Sequence, residues 1–130
     1  MIKLFNRAEI GKKGEKIAAR YLRRHGYKII EKNSRASHKE IDIIAENKDY
    51  ILFVEVKTRS VGEDLYSSYG APASAVGKKK RENLLYASRL YLASNNTRKQ
   101  PRMDVIEVYL NKDTAKVIKI NHIENAYYAK

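Results

Sequence analysis

The run EIDIIAENKDYILFVEVKTR, from Glu40 to Arg59, holds the most apolar stretch of the chain, divided by a polar segment at Glu46 to Asp49. Two apolar runs flanking a short polar turn predict an antiparallel hairpin that reads as core. Asp42, Glu55 and Lys57 interrupt those runs where burial should exclude them. Side chains alternate across a strand, so Glu55 and Lys57 share one face with Phe53, and Leu52, Val54 and Val56 share the other. A turn centred on Asn47 and Lys48 would set Asp42 opposite Phe53 and Glu40 opposite Glu55. Asp42 and Glu55 then become diagonal neighbours, roughly 7–8 Å apart on one face, an agreement that a one-residue slip would break.

Two or three carboxylates on one face repel one another unless a positive charge lies between them. A divalent cation resolves that repulsion, and oxygen donors without His or Cys favour Mg²⁺ or Mn²⁺ over zinc. Lys57 would add a compact charge able to hold a phosphate oxygen or orient a water. The same Glu-x-Lys spacing recurs at Glu46 to Lys48, inside the turn, where it carries no meaning. What distinguishes the copy at Glu55 to Lys57 is its apolar strand and the aspartate on the strand before it. A half-exposed sheet face with an ordinary cross-strand ion pair fits these residues as well.

Around the hairpin the pattern alternates helix and strand. Asn6 and Glu9 form a capping-box spacing, and Ile10, Gly14, Ile17, Ala18 and Tyr21 recur at helical spacing until Gly26, predicting an amphipathic helix over about 7–25. YKIIEKNSR reads as a strand before the hairpin. SVGEDLYSSYGAPAS, rich in Gly, Ser and Pro, reads as a loop after it. A second helix is expected from Pro72 or Ser74 to Ser94, with Val76, Leu84, Ala87 and Tyr91 on one stripe, followed by strands at RMDVIEVYL and AKVIKI joined by a turn over Asn111 to Thr114. The expected architecture is α/β in the order α-β-β-β-α-β-β, a mixed sheet flanked by helices, and 130 residues suggest a single domain over 1–130.

Twenty-seven Lys and Arg against fifteen Asp and Glu give a net charge of +12, a field that attracts polyanions, with nucleic acid the leading partner class. The absence of cysteine rules out disulfides and thiolate metal sites and suits a reducing cytoplasm. No apolar run approaches the ~20 residues of a membrane span, and the N-terminal residues lack the apolar core of a secretory signal. A soluble, cytoplasmic protein with no membrane partner is the expectation. Lys80 falls at the centre of the second helix's apolar stripe, where a lysine either snorkels to the rim or enters a phosphate-holding site. Lys78, Lys79 and Arg81 beside it form a solvated basic face suited to backbone phosphates. Arg59, Tyr66 and Tyr69 lie at the strand exit and loop, where tyrosines can stack on unpaired bases or serve no role. Arg102 and Asp104 have the spacing of a structural pair, and His38 and His122 show no ligand spacing.

An aspartate, a hairpin and then Glu-x-Lys on the next strand resembles the PD-(D/E)XK nuclease fold. The closer similarity is to the YraN-like family of small bacterial proteins, with a more distant likeness to archaeal Holliday-junction resolvases. Gly11 to Gly26, Glu40-Ile41-Asp42, Phe53 to Arg59, YGAPASAV and RMDVI each resemble a block of that family, and together they span about residues 11–109. The resemblance implies a restriction-endonuclease-like core in which Asp42 and Glu55, with the Val56 backbone carbonyl and Glu40 as further candidates, bind the metal. Lys57 would position the attacking water or stabilise the developing charge. Glu15, on the first helix, would join the site, and resolvase-like relatives suggest a homodimer. Lys39, preceded by His38, stands where the family usually has glycine, so the start of the second hairpin strand can differ.

The expectation is therefore a metal-dependent nuclease that hydrolyses DNA phosphodiester bonds, selective for branched, flapped or single-stranded DNA. A non-catalytic DNA-binding module that keeps the fold is the alternative, and an RNA- or ribosome-associated basic protein is a third reading that rests on charge alone.

Overall fold

The computed structural model describes residues 6–36, 39–62 and 77–127. Helix α1 (Arg7–Arg24) is followed by β1 (Lys28–Ala36), β2 (Lys39–Glu46), β3 (Tyr50–Val61), α2 (Lys78–Ser94), β4 (Gln100–Asn111) and β5 (Val117–Ile123). One five-stranded sheet runs in the order β1-β2-β3-β4-β5, with β3 and β4 parallel and the other neighbours antiparallel. The parallel pair requires a crossover, which contains α2.

The capping box forms as the sequence predicts: the Asn6 side chain accepts from the Glu9 N–H at 2.8 Å, and Glu9 reaches back to the Asn6 N–H. Gly26, at φ +88°, ends the helix in the left-handed conformation that glycine adopts without strain. Gly14 has a different role. A Cβ there would overlap the Thr58 side chain, so glycine lets α1 lie directly on β3. Ala18, Ala19 and Leu22 of α1 pack on Ile43, Ala45, Leu52, Val54, Ile106 and Val108. Leu84 and Ala87 of α2 cover the opposite face with Ile41, Ile44, Ile51, Phe53 and Val105. β4 is buried without a break from Asp104 to Leu110, with Ile106, Val108 and Leu110 in the layer beneath α1 and Val105 in the layer that holds Leu84 and Ala87.

The hairpin register differs from expectation. Ile44, not Asp42, lies opposite Phe53, and Glu40 does not face Glu55. The cause is Asn47. Its side chain accepts from the N–H groups of Asp49 and Tyr50, at 3.0 and 2.7 Å, which makes it the first residue of the turn and not its centre. The shift is an even number of residues, so it keeps Asp42 on the face of Glu55 and Lys57. Phe53, on that same face, is fully buried under α2, so at this level both faces of β3 are core. The second helix likewise starts later than expected, at Lys78 after an extended Gly77, and Pro72, Ser74 and Val76 lie outside the described residues.

Candidate active site

The site lies where the sheet forks. β2 and β3 pair from Glu46–Ile51 to Ile43–Val54 and then part. Beyond that point Lys39 to Ile41 pair only with β1, and Glu55 to Val61 only with β4. Asp42 and Glu55 are the first residues past the last rung. Asp42 continues the contact with its side chain, Oδ2 accepting from the Val56 N–H at 2.8 Å. β1 is bent at the same level. Asn33, between the residues paired with Ile43 and Ile41, takes a left-handed φ of 53°. Ile41 and Ile43 accordingly pack into opposite core layers, although two residues that far apart on a flat strand share a face.

The fork opens into a cleft of about 510 Å³ lined by Glu15, Asp42, Glu55, Lys57, Arg59 and Lys80, among others. A smaller cavity of about 260 Å³, lined by Lys39, Glu40 and Asn83, shares Asp42, Glu55 and Lys80 with it. Lys80 Nζ lies 3.4 Å from Glu55 Oε1, and Lys57 Nζ is 3.9 Å from the same oxygen. The Lys80 side chain thus turns inward from α2, although 59 % of it stays exposed, whereas that of Glu55 is only 14 % exposed. The Asn33 amide nitrogen lies 2.7 Å from Glu40 Oε1 and 3.0 Å from Glu15 Oε1 once the amide is oriented to donate. It joins the first helix to β2 across the fork.

Charge in the cleft is unbalanced. Burial first, and then repulsion from Glu55, push Asp42 up to about 7, with Glu15 and Glu40 adding to the effect and the Val56 N–H opposing it. Glu15 is raised by burial and by Glu40 and Glu55, against the Asn33 hydrogen bond. Burial and the adjacent Lys80 amine hold Lys57 below the usual lysine range, while hydrogen bonding with Lys57, together with Glu55, holds Lys80 above it. An all-oxygen donor set whose members repel one another fits a hard divalent cation chemically. Among the described residues, however, no group of three or more His, Asp and Glu side chains stands ready to hold a metal ion. Asp42 and Glu55 are the carboxylates that line both cavities.

The remaining candidates divide. Lys78 pairs with Glu82 at 3.9 Å on the helix surface, Lys79 is exposed, and the Arg81 guanidinium lies 5.9 Å from the centre of the Tyr127 ring. These residues form the first turn of α2 together with Lys80. That turn itself holds no acid, although the helix dipole there disfavours cations and favours an anion. Tyr66, Tyr69 and His38 lie outside the described residues. Lys39 remains in β2, its Nζ 5.5 Å from the centre of the Tyr86 ring, so the strand forms without the family's glycine.

Away from the cleft, Asp104 is fully buried and accepts from Arg102, from His122 Nε2 at 2.7 Å and from the Asn125 N–H at 2.9 Å. Burial alone would raise its carboxyl, but these bonds hold it below the usual range. Arg102 and Asp104 are thus a structural pair as the spacing indicates, and His122 completes it through Tyr21 at 3.2 Å. Asn33 and His122 carry no sequence signal, because each acts through residues brought near it only by sheet pairing and helix packing.

The sequence profile described as "Uncharacterised protein family UPF0102" matches residues 14–108. The chain belongs to the UPF0102 family. A family protein from Caldanaerobacter subterraneus is 45% identical over 127 residues, covering 97% of this chain and all of its own. One from Clostridioides difficile is 45% identical over 123 residues, covering 94% and 99%, and one from Chlorobium phaeobacteroides is 39% identical over 125, covering 93% and 94%. The YraN-like assignment made from the motifs is this same family. Glu15, Asn33, Asp42, Glu55, Lys57 and Lys80 all fall within the matched segment.

Proposed function

We propose that this UPF0102 protein is a metal-dependent nuclease of the PD-(D/E)XK, restriction-endonuclease-like type that hydrolyses DNA phosphodiester bonds. The observation that carries the reading is the convergence of Asp42, Glu55 and Lys57 at the fork, with Asp42 raised to about 7 by burial and by Glu55. The strand order, with the aspartate on β2 and Glu-x-Lys on β3, supports it, as does the net charge of +12.

In this reading Asp42 and Glu55 would hold Mg²⁺ or Mn²⁺, with the Val56 carbonyl and Glu40 as further candidate ligands. When bound, the cation supplies Lewis acidity and neutralises negative charge developing on the phosphate. The protein's own groups do the rest. Lys57, buried enough to be poorly hydrated, orients the attacking water or donates to a phosphate oxygen in the transition state. Lys80, 3.4 Å from Glu55, neutralises that carboxylate and lines the cleft where it can hold a phosphate oxygen. Glu15, tied to Glu40 through Asn33, accepts a hydrogen bond from water at the α1 wall of the cleft. Lys78, Lys79 and Arg81, at the positive end of the α2 dipole, would contact backbone phosphates beside the scissile bond, with Arg59 at the other wall. Branched, flapped or single-stranded DNA is the proposed substrate.

A second reading, a DNA-binding module that keeps the fold without turnover, is favoured by the lack of a ready-made three-ligand group among the described residues. Cleavage of branched, flapped, single-stranded and plain duplex DNA in Mn²⁺, comparing the wild type with Asp42→Asn and Lys57→Ala, separates the two. The nuclease reading expects loss of cutting in both variants with DNA binding retained. It is overturned if no substrate is cut or if the variants cut as well as the wild type, and salt-sensitive binding without cutting supports the module.

A further inference from the structure

Helix α1 has a second working face. Gly11 and Glu15 look into the cleft, whereas Lys12, Lys16, Ile17 and Arg20, on the opposite side of the helix, line a separate groove of about 620 Å³. Its other wall is the β4–β5 turn, with Ala115, Lys116 and Val117. The turn is firmly built: the Asn111 side chain accepts from the N–H groups of Asp113 and Thr114, and Lys116 donates its N–H to Thr114 Oγ1. Glu9, the one acid of the groove, already belongs to the capping box with Asn6.

Two features mark this place as a docking surface. Its floor is apolar and open, Val117 being 45% exposed, while its rim is cationic. It also lies at the start of β5, the outermost strand, whose outer edge pairs with no other strand among the described residues. An exposed edge offers unsatisfied N–H and C=O groups to an incoming extended chain.

We propose that this groove docks an acidic peptide segment bearing apolar residues. The segment adds alongside β5, its apolar side chains resting on Ile17 and Val117 and its carboxylates meeting Lys12, Lys16, Arg20 and Lys116. Charge complementarity selects the partner. Nucleic acid would meet the same cations, and the bases of a single strand would reach the apolar floor, but a sugar–phosphate chain lacks the alternating N–H and C=O groups that pair with the open edge of β5. A second copy of the chain pairing along β5 would bring together the cations beside that edge, Lys116 and Lys119 among them, and two cationic α1 faces, and like charges so placed repel.

The test uses the full chain in EDTA, so that binding is read apart from any cleavage and stands or falls independently of the nuclease reading. The probe is a short fluorescein-labelled peptide rich in Asp and Glu with a central Phe pair, followed by fluorescence anisotropy. Saturable binding is expected. Replacing the Phe pair of the peptide with Ser should abolish it, and Val117→Ser in the protein should weaken it. The double variant Lys16→Gln, Lys116→Gln should weaken it roughly tenfold, as two partly screened ion pairs would. DNA cleavage and DNA affinity of that variant should match the wild type. The proposal is overturned if the peptide does not bind, or if the Ser peptide binds equally, which indicates charge alone. It is also overturned if the double variant loses DNA affinity in parallel, which makes the groove a nucleic-acid surface, or if sedimentation shows a dimer that the variant abolishes.

Discussion

Asp42→Asn should make the metal-free protein more stable while removing its proposed activity. The folded Asp42 carboxyl keeps its proton up to about 7, against 3.8 for the ordinary group, because burial and Glu55 penalise its charge. Between those values the folded state binds more protons than the unfolded one, so stability falls as pH rises through that window, and the whole penalty is present above it. At ~1.36 kcal/mol for each pH unit, the interval corresponds to roughly 4 kcal/mol, and relaxation around the site reduces the measurable part to about 2–4 kcal/mol. Asparagine removes the charge but keeps an oxygen for the Val56 N–H. Urea unfolding in EDTA should therefore show the variant more stable by that amount near pH 8.5, with the gain shrinking below about 1 kcal/mol near pH 4. Adding Mn²⁺ should stabilise the wild type and leave the variant unchanged. A variant no more stable than the wild type near pH 8.5, or one with the same gain at both pH values, would refute the assignment of Asp42 as a strained, buried carboxylate.

Other substitutions test the frame around the site. Gly14→Ala should lower stability by about 1–3 kcal/mol, because its Cβ overlaps Thr58 and α1 must lift off β3; the denaturation midpoint reads this directly. Asp104→Ala should be more damaging, roughly 3–5 kcal/mol, since it strands the Arg102 guanidinium, whose side chain is 10% exposed, without its main carboxylate. Far-ultraviolet circular dichroism during thermal unfolding would record it, with the intact cleft controlled by Asp42 behaviour in the folded fraction. Lys80→Ala should leave the fold within about 1 kcal/mol of the wild type, because that side chain is largely exposed, yet weaken DNA affinity and flatten its salt dependence in filter-binding assays.

Much of the site was legible because strand periodicity is rigid. Glu55 and Lys57 had to share a face whatever the register, and Asp42 joined them because the turn shifted the pairing by an even number of residues. The register itself was not legible. It depended on whether the Asn47 side chain would close the turn from its first position, a choice between two hydrogen-bonding patterns that the same polar residues permit. How far along β3 the face of Phe53 and Glu55 is covered was not legible for a related reason. Which part of a strand face is covered depends on where a helix lands, and α2 covers the base of β3 while leaving its far half at the fork.

The sequence by itself determined the succession of helices and strands, the apolar layers, the capping box and the Gly26 stop, because each rests on spacing or on the conformational preference of a single residue. It also marked Asp42, Glu55, Lys57 and Lys80 as charges out of place in apolar patterns. Tertiary structure alone decided what those charges meet. The parting of β2 from β3 placed Asp42 on the Val56 N–H, the kink at Asn33 tied Glu15 to Glu40, and the seating of α2 brought Lys80 to Glu55. Each of these contacts joins elements far apart in the chain, and electrostatic coupling depends on distances that only the packed sheet and helices fix.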